Sequence, residues 1–154
     1  INHIDFSINE KIERYFTLKA FKNFGNPLIP MHMAIHAIPL QIATKMKIPL
    51  IIWGENSGIE YGGAKSSLKG EYMNLAWRKV YGVTHGTTAK DWIDKNLSLN
   101  DLSPYFWSSE NEKKKTGVKE IFLGYYFKWD PQKIYNLVVY LCDDLFVFLL
   151  NHWE

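Results

Sequence analysis

Along the 154 residues, helical spacing of apolar positions gives way twice to short extended runs, and most of the changes are marked by turn or cap residues. Ile4 and Phe6 flank Asp5, which reads as a short strand. Ser7-Ile-Asn-Glu10 has the form of a capping box, in which two side chains satisfy the free N–H groups of a helix start. Ile12, Tyr15, Phe16, Leu18 or Lys19, and the stretch from Phe21 to Phe24 give that helix an apolar side, and Gly25 is its expected stop. Pro30 suits the first turn of a second helix over 31–46. There Met31, Ile35, Ile38, Ile42 and Met46 form a stripe expected to face a sheet, and Pro39, without an N–H, predicts a kink. Leu50, Ile51, Ile52 and Trp53 show no alternation, so both faces of this strand are expected to be covered, as in a parallel sheet between helix layers.

Further on, Ser66 and Ser67 are candidate caps for a helix carrying Tyr72, Leu75, Ala76 and Val80 and closed by Gly82. Three more starts of the form S/T-x-x-D/E follow, at Thr88/Asp91, Ser98/Asp101 and Ser109/Glu112, and imply short helices in a row. Their place after the glycine-rich loop suggests a substrate lid or partner platform rather than another sheet layer. The charged run 110–115 reads as a solvated helix face. Residues 117–124 read as a further strand, and Asp130-Pro131 as a helix start with its cap and first-turn proline. Residues 137–150 are apolar on almost every side, which suits a deeply buried helix, and they fall short of the about 20 apolar residues that span a bilayer.

The candidate chemistry sits where the first strand ends. The apolar run stops at Gly54, and Glu55-Asn-Ser-Gly-Ile-Glu-Tyr-Gly-Gly63 follows. In open α/β sheets ligands bind beyond the carboxyl ends of strands. Gly54, Gly58, Gly62 and Gly63 allow close backbone approach or positive φ, while Glu55, Asn56, Glu60 and Tyr61 supply polar groups. Two carboxylates with no Lys or Arg before Lys65 cost free energy unless a cation, metal or hydrogen-bonding substrate meets them; the alternative is a simple turn. His32 and His36, four apart, share a helix face. They are either structural or substrate-side histidines or a metal pair, but Met33 stands where a zinc protease has its glutamate.

Composition sets the outer limits: 47% hydrophobic and 22% charged residues suit one globular domain, and a formal charge of +2 gives no case for nucleic acid as a partner. The single cysteine, Cys142, excludes a disulfide framework and suits a reducing cytoplasm. No signal peptide is legible at Ile1, and without an initiator methionine the stretch reads as internal to a longer protein.

The strings Pro30-Met-His-Met-Ala34, Ile48-Pro-Leu-Ile-Ile-Trp-Gly-Glu-Asn56, Glu60-Tyr-Gly-Gly63, Leu102-Ser-Pro-Tyr105 and Ile121-Phe-Leu-Gly-Tyr-Tyr-Phe-Lys-Trp-Asp130 resemble the N-acetyl sugar amidotransferase family of bacterial lipopolysaccharide and flagellar glycan gene clusters. The resemblance covers roughly 1–136; 137–154 departs from it as an atypical apolar tail, expected from a truncated or frame-shifted product. It implies the fold of the ATP pyrophosphatases, a Rossmann-like, adenine-nucleotide α-hydrolase-like parallel sheet with helices on both faces, followed here by short helices. It also implies a reaction. ATP, with Mg2+ bridging its phosphates, adenylylates the oxygen of a sugar N-acetyl group, and ammonia from a glutaminase partner then displaces AMP to leave an acetamidino group. By position it implies nucleotide contacts for Gly54, Glu55 and Asn56, catalytic roles for Glu55, Asn56 and Glu60, and sugar contacts for His32, Tyr61, Gly62 and Gly63. The family's S-G-G-x-D-S phosphate loop and its early cysteines are absent from these residues, so adenylylation by the isolated stretch is expected to fail. Two alternatives stay open: a non-catalytic sugar-nucleotide or partner-binding module, and a metal hydrolase using His32, His36 and Glu55.

Overall fold

A computed structural model describes residues 3–54, 73, 75–127 and 130–151. Helix α1 (Glu10–Phe24) is capped by Asn9, whose side chain accepts from the Lys11 N–H at 3.0 Å. The predicted Ser7/Glu10 box is not used, because Asn9 caps as effectively from two residues later and Glu10 becomes the first helical residue. Ile8 is thereby left to pack against the core. Nor do Ile4 and Phe6 form a strand; residues 3–9 are irregular, and both apolar side chains are exposed. The predicted stop holds: Gly25 is left-handed, with φ 67°, and its N–H donates to the Phe21 carbonyl at 2.8 Å.

Helix α2 (Ile29–Met46) carries Pro30 in its first turn and continues through Pro39, which has no N–H to return to the Ile35 carbonyl. Its buried side is Ile29, Met33, His36, Ala37, Leu40 and Ala43, whereas Met31, Ile35 and Met46 of the predicted stripe are exposed. A helix that is apolar nearly all round offers several stripes with the right spacing. The one buried here includes alanines 34, 37 and 43, whose small side chains permit close approach.

Strands β1 (Leu50–Trp53) and β2 (Lys119–Phe122) pair in parallel, Ile51 beside Glu120 and Trp53 beside Phe122. One face of this pair is covered: Ile51 and Val118 pack on Leu40 and Ala43 of α2, and Trp53 and Phe122 pack on Met73 and on Trp77 of helix α3 (Leu75–Tyr81). The other face shows Leu50 and Ile52 exposed, which corrects the expectation of helices on both sides for the described residues. The chain is thus mixed α/β with a two-stranded parallel sheet among its described residues.

The three later cap signals are all used. Thr88 and Asp91 box the 3-10 turn Ala89–Trp92, Ser98 and Asp101 bond reciprocally, and Ser109 and Glu112 box helix α4 (Glu110–Thr116). Hydrogen bonds from the N–H and hydroxyl of each cap hold the three carboxyls below their usual range. These short elements are no lid: Trp92, Leu97, Leu102 and Tyr105 join Phe16, Ala20, Ile29 and Met33 in the main core. The Phe16 ring lies 4.9 Å from that of Trp92 and 5.1 Å from that of Tyr105. Gln41 fastens the second 3-10 turn, Ser103–Tyr105, to α2 by donating to the carbonyls of Ser103 at 2.9 Å and Phe106 at 2.6 Å.

After β2 come helix α5 (Leu123–Tyr126) and helix α6 (Pro131–Asn151), the latter started by Asp130, which accepts from the Lys133 N–H at 3.1 Å. The helix runs without a break across the predicted boundary at 136 and 137. Tyr135, Leu137, Val138, Tyr140 and Leu141 are exposed, so this part of the helix is not the buried element its composition predicts. No helix among the described residues is long and apolar enough to cross a membrane.

Candidate functional site

The predicted site is met at its edge. Gly54 follows β1 and is exposed; its φ is not left-handed, and a Cβ added there meets no protein atom within 4 Å. Glu55, Asn56, Gly58, Glu60, Tyr61, Gly62 and Gly63, with the proposed caps Ser66 and Ser67 and Tyr72, lie outside the described residues. His32 is half-buried, and its Nδ1 lies 2.9 Å from the Leu28 carbonyl, a tie to its own helix. His36 is buried. Among the described residues no three His, Cys, Asp or Glu side chains come together in a metal-binding group.

Behind the end of β1 lies a polar cluster. Glu120 alternates along β2 with Val118 and Phe122 and so points to the covered face, where it and Arg78 of α3 are each 1% exposed. Glu120 Oε1 accepts from Arg78 Nη2 and, at 2.9 Å, from Lys113 Nζ, while Oε2 accepts from Trp53 Nε1 at 3.3 Å. The Arg78 guanidinium lies 4.8 Å from the centre of the Trp107 ring. His36 meets Trp53 and Trp77 edge to face, at 5.5 and 6.1 Å between ring centres. Arg78 Nε, Trp107 Nε1, His36 Nδ1 and Thr84 Oγ1 are buried without a hydrogen-bond partner among the described residues. Glu120 was legible as an acid on the apolar face of an alternating strand, a signal that calls for a cation; Arg78 has no such mark within its helix.

Burial and then the Arg78 charge lower the His36 pKa from 6.5 to about 4, with His32 adding to the shift and Glu120 opposing it. The unfolded chain therefore takes up this proton as pH falls through 6.5, while the folded chain resists until about 4. The stability present above pH 6.5 should fall across that window by roughly 3 kcal/mol and level off below it. Urea unfolding at pH 7 and pH 4 should show a smaller loss in a His36→Leu variant; equal losses in the two proteins would remove His36 as the cause.

The segment after α3 is tightly constrained. A Cβ at Gly82 would sit 2.3 Å from the Arg78 carbonyl oxygen, and Val83 and His85 take φ of 55° and 51°, the former costly for a β-branched residue. This segment leads into the wall of a cavity of about 300 Å3, lined by Met33, Arg78, Thr88, Tyr105, Trp107 and Ser109 among others. The Tyr105 hydroxyl itself donates to Glu13, and burial followed by that contact pushes its pKa well above the usual range. A second cavity of about 250 Å3, with Gln41, Thr44 and Ser108 in its wall, also borders Trp107.

Compared with the models of known protein families and with curated proteins, the chain matches none.

Proposed function

We propose that this chain forms the central part of an ATP-dependent amidotransferase domain of the N-acetyl sugar amidotransferase type, acting in bacterial surface polysaccharide or flagellar glycan synthesis. The observation that supports it is the parallel pairing of β1 with β2. Pairing in this sense sets the carboxyl ends of both strands on one edge, where Trp53-Gly54 leads into Glu55-Asn56, the position at which open α/β sheets bind ligands. A Rossmann-like sheet beyond these two strands belongs to the same proposal.

When bound, ATP supplies the adenylyl group that makes the N-acetyl oxygen a leaving group, and an amide carbonyl without such activation is a poor electrophile for ammonia. Among the described residues no three His, Cys, Asp or Glu side chains come together, and the 154 residues contain no S-G-G-x-D-S loop. The roles proposed here are Glu55, Asn56 and Glu60 around the reacting amide, His32, Tyr61, Gly62 and Gly63 toward the sugar, and Gly54, Glu55 and Asn56 bordering the nucleotide. A glutaminase partner provides the ammonia, and a cytoplasmic location goes with a soluble sugar or nucleotide-sugar substrate.

A second reading, a non-catalytic sugar-nucleotide or partner-binding module without ATP chemistry, is supported by the cavity of about 300 Å3 beside Arg78. The two separate in one assay. The protein as its gene encodes it, given ATP, Mg2+, ammonia and an N-acetylated nucleotide sugar, should release AMP and replace the amide oxygen by NH, as read by mass spectrometry. Saturable sugar-nucleotide binding with no AMP and no mass change would establish the module instead.

A further inference from the structure

The described residues concentrate their unmet polar chemistry around Arg78. Its guanidinium and the Lys113 ammonium share one carboxylate, Glu120, so two cations meet one anion within hydrogen-bonding reach among the described residues. Glu120 is already used at both oxygens, Oε1 by the two cations and Oε2 by Trp53, and has little left for Arg78 Nε. A buried donor without an acceptor and a surplus buried charge each cost free energy until an anion meets them. Arg78 and Trp107, which carry two unpartnered N–H groups, both line the cavity of about 300 Å3.

We propose that this cavity is a binding pocket for a small organic ligand bearing a carboxylate or phosphate oxyanion on a flat, largely apolar body. The oxyanion takes the N–H groups of Arg78 Nε and Trp107 Nε1, and the body lies along Met33, Tyr105 and Phe106. The volume lies at the lower end of small-molecule sites, about 300–1,000 Å3, so the ligand is a single-ring molecule. Lys90 and Glu110, also in the lining, carry one charge of each sign and leave the selectivity to Arg78. Neither unpartnered N–H meets solvent, so binding requires a shift of the Trp107 ring. The second cavity, of about 250 Å3, also borders that ring. The pocket proposal stands on Arg78, Trp107, Met33, Tyr105 and Phe106, none of which is proposed for the amidotransferase reaction.

The test is a titration of the 15N-labelled full chain, followed at the Arg78 Nε–H and Trp107 indole N–H resonances. Benzoate and phenyl phosphate are the oxyanion probes, and benzamide is the neutral control of the same shape. The expected result is saturable displacement of both resonances by at least one oxyanion, with Kd of about 1 mM or tighter, and no comparable effect of benzamide. Which oxyanion binds more tightly identifies carboxylate or phosphate as the natural group. A Trp107→Phe variant keeps an aromatic, though smaller, ring and loses the donor, and should bind the preferred probe about tenfold more weakly. No Arg78 variant is needed, which avoids disturbing the buried ion pair. Equal response to benzamide, shifts confined to other N–H groups, or titrations that never saturate would each overturn the assignment.

Discussion

Replacing Glu120 by leucine is expected to destabilise the folded chain by about 3–5 kcal/mol, because the substitution leaves Arg78 charged and buried with its carboxylate gone. Removing both members should be milder than removing one, since an apolar pair of similar volume leaves no uncompensated charge. The Arg78→Met/Glu120→Leu protein should therefore be more stable than Glu120→Leu alone. Denaturant unfolding of the four proteins in this cycle measures the coupling, and it remains readable if Glu120→Leu is largely unfolded, provided that the double variant refolds. A double variant no more stable than the single one would mean that the ion pair contributes little beyond packing. Lys113, which shares Oε1 and is more accessible than Arg78, should matter less: Lys113→Met leaves the Arg78 pair in place.

The second large effect concerns the proposed reaction. Glu55→Gln should lower amidination by roughly a hundredfold or more, the scale on which a positioned acid or base contributes, while the melting temperature stays within a few degrees. Glutamine keeps the size and the hydrogen-bonding reach of the side chain and removes only its charge and basicity. Activity retained in Glu55→Gln takes this residue off the list of catalytic groups, and so does a loss of activity that merely follows unfolding. A shift of KM at constant kcat would instead place Glu55 in uniform substrate binding rather than in the transition state.

Local chemistry was legible wherever a few neighbouring residues decide the outcome. Gly25 ends α1 because a left-handed residue is needed there, Asp130-Pro131 starts α6, and the boxes at Thr88/Asp91 and Ser109/Glu112 close over three residues. The first box failed only because two adequate caps, Ser7 and Asn9, compete within one turn, and packing of Ile8 accompanies the choice of Asn9. The strand Leu50–Trp53 was likewise readable from an apolar run bounded by proline and glycine, and Lys119–Phe122 from the glycine-bounded stretch 117–124, whose last two residues the fold instead gives to helix α5.

What the sequence could not decide was which side of an element is covered, and by what. Helix α2 is apolar in nearly every direction, so spacing alone permitted the Met31–Ile35–Met46 stripe that the fold leaves exposed. Leu50 and Ile52 read as buried because a run without alternation carries no facing information, and only the placement of α2 and α3 on the opposite face settles it. The stretch 88–106 looked like a lid because its polar caps are conspicuous, but Trp92, Leu97, Leu102 and Tyr105 are distant in sequence from the Phe16 they surround. The Arg78–Glu120 pair spans 42 residues, and neither member identifies the other in one dimension. By itself the sequence determined caps, strand positions and the strand-end string that carries the functional proposal; the tertiary structure alone decided burial and long-range pairing, because these depend on contacts whose partners no local spacing specifies.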